Sequence, residues 1–102
     1  DNLRQAYAYL TRDLKAPRVG TIGWCLGGRW SFRTAQLFPA DIDATVIYYG
    51  SVKAEDADVA KLRMPVLGLF GSKDRVVPLP MVQAFEAQAQ RLGRDVTIKV
   101  YD

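Results

Sequence analysis

One cysteine stands among three glycines in Gly23-Trp24-Cys25-Leu26-Gly27-Gly28, directly after the apolar run Val19-Gly20-Thr21-Ile22. The pattern reads as a strand that turns sharply into a helix with a nucleophilic thiol at the bend. Such a bend lifts its residue beyond the carboxyl ends of the strands, where ligands reach open α/β sheets. The elbow positions Gly23 and Gly27, two residues either side of Cys25, must be small for the bend to close. Gly28 allows the helix that follows to pack closely. A helix start carries unpaired N–H groups and a partial positive charge. That field favours an ionised sulfur and can hold an oxyanion, with the N–H of Leu26 as the first donor. The competing reading is a buried structural cysteine, since free cysteines are commonly buried.

A second group belongs with the first. Asp74 closes Gly71-Ser72-Lys73-Asp74, immediately after another apolar run. A carboxylate at a strand's carboxyl end can orient a base beside the elbow; a turn aspartate bonding its own backbone would look the same in sequence. The 102 residues contain no histidine, so the usual imidazole base is missing from them. Trp24 and Leu26 flank the thiol, and Tyr48, Tyr49 and Ser51 fall at another strand's carboxyl end. Of these, Trp24 and Tyr49 are the candidates for a substrate pocket, with core packing as the alternative for Trp24. Arg29 and Arg33 could bind a carboxylate, although solvation on the helix surface is the plainer reading. No Cys/His set has metal-ligand spacing, and the glycine cluster lacks the Lys-Ser/Thr of a phosphate loop. No metal and no cofactor are expected.

These residues need a parallel sheet beneath them. Leu3, Ala6, Tyr7, Leu10 and Leu14 mark one face of an opening helix that breaks off at Pro17. Residues 18–23 read as a short buried strand. Residues 26–38 read as a helix with Trp30, Phe32, Ala35 and Leu37 among its apolar positions, ended by Pro39. Residues 44–49 and 65–71 are apolar on both faces, as in strands covered by helices on either side. Residues 52–64 read as a polar loop excursion with a helical turn near 56–62. Pro78 and Pro80 suit the start of a helix with Val82, Phe85, Ala89 and Leu92 inward and Gly93 just past its end. Residues 95–102 alternate as a half-exposed strand. The order α-β-α-β-loop-β-α-β predicts an α/β fold with a parallel sheet of about four strands and right-handed crossovers.

Composition sets the outer bounds. The chain is 49% hydrophobic and 25% charged, with 14 basic and 11 acidic residues and a net charge of +3. Its cations are scattered and interleave with no aromatic cluster, so no nucleic-acid partner is expected. No apolar run reaches membrane-spanning length, and the opening residues lack a signal-peptide pattern. A lone cysteine fits a reducing, cytoplasmic setting.

The three stretches 23–28, 46–50 and 65–74, with Val100-Tyr101-Asp102 closing the last strand, resemble the dienelactone hydrolase (carboxymethylenebutenolidase-like) family over essentially the whole chain. The resemblance implies the C-terminal portion of an α/β-hydrolase fold, so that residues 1–102 form a partial domain. It implies cofactor-free hydrolysis of ester or lactone bonds, with a small-molecule substrate, Cys25 as nucleophile and Asp74 as triad acid. A glutamate and a substrate-binding arginine of the family's N-terminal half, and the triad histidine expected beyond Asp102, are not among these residues. Little or no turnover is therefore expected of the chain alone. Two alternatives stand beside this: a non-catalytic core that self-associates through an exposed strand edge, and a thiol redox sensor using Cys25.

Overall fold

The computed structural model describes residues 2–102. Four strands, β1 (Gly20–Trp24), β2 (Ala44–Tyr48), β3 (Val66–Gly71) and β4 (Val96–Tyr101), form one parallel sheet in the order β1-β2-β3-β4. Helix α1 (Asn2–Ala8) and a π-helical turn (Tyr9–Asp13) precede β1. Helix α2 (Leu26–Leu37) links β1 to β2, the short α3 (Asp56–Val59) lies between β2 and β3, and α4 (Leu79–Arg91) links β3 to β4. The expected element order is therefore the observed one.

Register and alternation divide the sheet into two unlike faces. Thr45 and Ile47 of β2 and Val66, Gly68 and Phe70 of β3 point to one face and are buried. Helices α2 and α4 cover that face and meet through Phe32 and Phe85, whose rings pack edge to face at 5.2 Å. Val52, Val59, Leu62 and Met64, in the stretch expected to be a polar excursion, complete the core. Hydroxyl groups tie α2 to the sheet: Ser31 Oγ lies 2.8 Å from Thr21 Oγ1 and 2.9 Å from the Val46 carbonyl. The opposite face is not covered. Ile22 and Trp24 are more than half exposed, and Val46, Tyr48, Leu67 and Leu69 are only partly buried.

This corrects several expectations. The strands are buried on one face, not on both, because no helix lies over the second. Strand β1 is largely exposed, since it pairs with β2 alone. Trp30 and Leu37 of α2 are also exposed, whereas Phe32 and Ala35 are buried as expected. The single apolar face of the opening helix fails after Ala8: the wider π-helical turn shifts the phase, so Leu3 and Tyr7 pack while Leu10 and Leu14 are exposed.

Helix α4 keeps its sequence signals. It starts on Pro78 and Leu79, and Gly93 follows it at φ +70°. The N–H of Gly93 donates to the Gln90 carbonyl and that of Arg94 to the Ala89 carbonyl, which closes the last turn. Its outer end is tied to α3. Arg91 grips both carboxylate oxygens of Asp56 at 3.0 and 3.1 Å, and Gln88 donates to the same carboxylate at 2.8 Å.

The Arg91 and Gln88 hydrogen bonds hold the Asp56 carboxyl below its ordinary value and raise the Arg91 guanidinium. A carboxyl lowered on folding stabilises the fold above its unfolded value and loses that contribution as pH falls through the lowered one. Both groups are exposed, so the effect on stability is small. An NMR titration of the side-chain carboxyls should find Asp56 below the usual carboxylate range, and Arg91→Ala should return it there.

Candidate active site

Cys25 occupies the single residue between β1 and α2, at φ 57° and ψ −119°. A non-glycine residue in this sparsely populated region costs on the order of 1–3 kcal/mol, which the surroundings must offset. Two hydrogen bonds hold it. The Cys25 N–H donates to the Tyr48 carbonyl at 3.0 Å, and the Cys25 carbonyl accepts from the Arg29 N–H at 3.2 Å, the first turn of α2. Cys25 is exposed in this structure, not buried.

Glycine makes the bend sterically attainable. A Cβ on Gly23 would sit 2.0 Å from the Gly27 carbonyl oxygen. Gly27 itself departs from expectation: a Cβ there would meet nothing within 4 Å, because its Cα faces open space. The close crossing lies one residue further on. A Cβ on Gly28 would be 2.8 Å from the Tyr48 carbonyl oxygen, and one on Gly50 would be 2.5 Å from the Arg29 nitrogen. Gly28 and Gly50 thus let the first turn of α2 rest on the end of β2. The role of Gly28 was legible from its place in the elbow; that of Gly50 was not, as only the tertiary crossing reveals it.

Leu26 is the first residue of α2, so helix geometry leaves its N–H without an intrahelical acceptor. Among the described residues no backbone carbonyl accepts from it. The donor is thus available beside the thiol, at the positive end of a 12-residue helix.

Asp74 lies in the turn after β3, with β2 between it and the elbow. Two inter-strand spacings put the two backbones about 10 Å apart, room for one bridging side chain. Asp74 Oδ1 accepts from the N–H of Val76 at 2.8 Å and of Val77 at 3.0 Å. The turn-forming role weighed from sequence is therefore real. It also fixes the carboxylate's orientation and leaves Oδ2 without a protein donor among the described residues.

Tyr49, at the end of β2, is the other strained residue here, with φ 38° and its N–H bonded to the Leu69 carbonyl at 2.8 Å. With Tyr48, Leu69, Asp74 and Tyr101 it lines a cavity of about 680 Å3 at the carboxyl end of the uncovered face. Trp24 is not brought into that lining. It is exposed and stacks on Tyr48, its register partner, at 5.1 Å. Cys25 also lies outside the lining. The strain at Tyr49 and the contribution of Tyr101 left no mark in the sequence.

The model of the dienelactone hydrolase family matches residues 1–102. The chain belongs to that family. It is 33% identical over 84 residues to Protein usf of Aquifex pyrophilus, covering 82% of this chain and 36% of that one. It is 35% identical over 74 residues to the carboxymethylenebutenolidase homolog of Mus musculus, covering 72% of this chain and 29% of that one. A solved dienelactone hydrolase-like promiscuous phosphotriesterase from metagenomic libraries superposes with a TM-score of 0.82 at 23% identity, over 96% of this chain and 42% of that one. The chain thus spans about a third of the length of the curated relatives it matches. Its parallel four-stranded sheet with flanking helices has the arrangement of the α/β-hydrolase fold.

The glycine geometry separates two substitutions that look alike in sequence. Gly23→Ala should destabilise the chain by about 3 kcal/mol or more, through overpacking against backbone. Gly27→Ala should change stability by less than about 1 kcal/mol. Urea denaturation of both variants checks the contrast.

Proposed function

We propose that this chain carries the nucleophile and the orienting acid of an ester or lactone hydrolase. The observation that carries the reading is the exposed Cys25 thiol at a strained bend on the positive end of α2. The Cys25 thiolate attacks the carbonyl carbon; a C–S bond forms and the carbonyl electron pair moves to oxygen. The oxyanion is held by the Leu26 N–H and by a second donor from outside these residues. Collapse expels the alkoxide, which takes a proton from an imidazolium. Water then attacks the thioester, gives its proton to the imidazole, and releases the acid and the thiolate.

Asp74 is the positioning residue for that imidazole, through the free Oδ2. The imidazole itself has to come from chain outside these 102 residues, which hold no histidine. Tyr49 lines the substrate side of the cavity next to Asp74. The substrate is a small ester or lactone, and a reducing, cytoplasmic compartment keeps the lone thiol competent. No helix is long and apolar enough to cross a membrane among the described residues.

The test separates acylation from turnover. Incubated with p-nitrophenyl acetate, the chain should gain one acetyl group on Cys25 by intact mass and release one equivalent of nitrophenol without steady turnover. Cys25→Ala should gain none. Sustained turnover would show that no external base is needed. Failure to label Cys25 while peroxide oxidises it quickly would favour the redox-sensor reading.

A second reading rests on the uncovered face. The accessible surface is 6611 Å2, whereas a compact monomer of 11.4 kDa exposes about 5800 Å2. Pairing of two copies through the open β1 edge and Ile22 would cover that face. Sedimentation equilibrium at tens of micromolar should then show a dimer, and Ile22→Lys a monomer; a wild-type monomer at every concentration removes this reading.

A further inference from the structure

Helix α2 has a second flank whose chemistry the hydrolase reading does not use. A groove of about 380 Å3 runs between α2 and the connection from β2 to α3. Arg29, Arg33 and Lys53 line it, together with Gln36, Ser51 and Asp58. It shares no lining residue with the cavity that holds Tyr49 and Asp74. Its volume is in the range of small-molecule sites.

Its charges are unbalanced. Arg29 and Arg33 stand four residues apart and so share a face of α2, while Lys53 comes from the facing connection. Among the described residues, no carboxylate lies within ion-pair distance of any of the three. The one acid of the groove, Asp58, is 3.4 Å from Lys61. Two cations from α2 and one from the facing connection therefore line a groove whose single carboxylate, Asp58, is paired with Lys61, which raises their mutual repulsion and the local attraction for anions.

A buried polar group sharpens the point. Gln36 is 6% exposed, and its Oε1 accepts from Arg33 Nη1 at 3.3 Å. That bond fixes which end of the amide is oxygen. No protein acceptor takes the Nε2 donor, and no fully enclosed polar atom is left unpartnered among the described residues. Gln36 is among the residues that line the groove. Two guanidinium groups and an ammonium line this one concavity and outnumber its single carboxylate, Asp58, a balance that suits carboxylate or phosphate oxygens.

We propose that this groove binds a small oxyanion carrying two or more negative charges. Arg29, Arg33 and Lys53 supply the charge, and Gln36 supplies a directional donor. Phosphate and polycarboxylate groups share this chemistry. A long polyanion does not fit the proposal, because the cations are gathered in one recess rather than along a track.

The test is a two-dimensional amide NMR titration of the full chain with inorganic pyrophosphate and with citrate at constant ionic strength. Saturable shifts confined to residues 29–36 and 51–54 are expected. Arg33→Gln with Lys53→Gln should weaken binding about tenfold or more, whereas Arg63→Gln, outside the groove, should leave it unchanged. The spectra report folding directly, and Lys53→Gln alone serves if the double variant unfolds. Saturation by pyrophosphate but not citrate, or the reverse, identifies the oxyanion class and supports the site. Non-saturable shifts, shifts spread over all the cations, equal weakening by Arg63→Gln, or binding of heparin alone would each overturn it.

Discussion

The structure turns on one backbone constraint. Cys25 must hold φ 57° and ψ −119°, a conformation that an ordinary side chain avoids. Three contacts impose it: the absence of a side chain at Gly23, the Cys25 N–H bond to the Tyr48 carbonyl, and the Arg29 N–H bond back to the Cys25 carbonyl. Each comes from a different element. The strand presents the residue, its neighbour β2 anchors it, and the helix begins on it. The strain is therefore offset by the parallel pairing of β1 with β2 and by the Gly28–Gly50 crossing that brings α2 down onto β2. The bend and the start of α2 share these contacts, so Cys25 cannot relax without loosening the first turn of the helix.

The sheet order explains how Cys25 and Asp74, far apart in sequence, reach the same edge of the sheet. Placing β2 between β1 and β3 sets the elbow and the Asp74 turn on the same edge of the sheet, separated by the width of one bridging side chain. The backbone N–H groups of Val76 and Val77 then hold the carboxylate still. An aspartate fixed by its own turn keeps one orientation, which is what the proposed positioning role would need.

Much of this was legible in the sequence, for physical reasons. The glycine-flanked cysteine after an apolar run encodes a strand-to-helix bend because few other residue types fit there. Pro78, Pro80 and Gly93 mark the ends of α4 through backbone chemistry that survives any tertiary context. What could not be read depends on what lies opposite a residue. The apolar runs at 44–49 and 65–71 suggested two buried faces, yet burial needs a covering layer, and only one face has it. Gly27 resembles Gly23 in sequence but faces open space. The phase shift after Ala8 comes from a π-helical turn that no local pattern announces, and the strain at Tyr49 depends on its bond to Leu69 across the sheet.

The central claim is that the bend aims the Cys25 sulfur at a carbonyl whose oxygen meets the Leu26 N–H. A crystal structure of the chain reacted with a trifluoromethyl ketone tests it directly. The expected adduct has a covalent bond from Cys25 Sγ to the former carbonyl carbon, with the oxygen about 3 Å from the Leu26 nitrogen. An adduct whose oxygen points into solvent, or a bend that relaxes to an ordinary φ once the sulfur is modified, would contradict it.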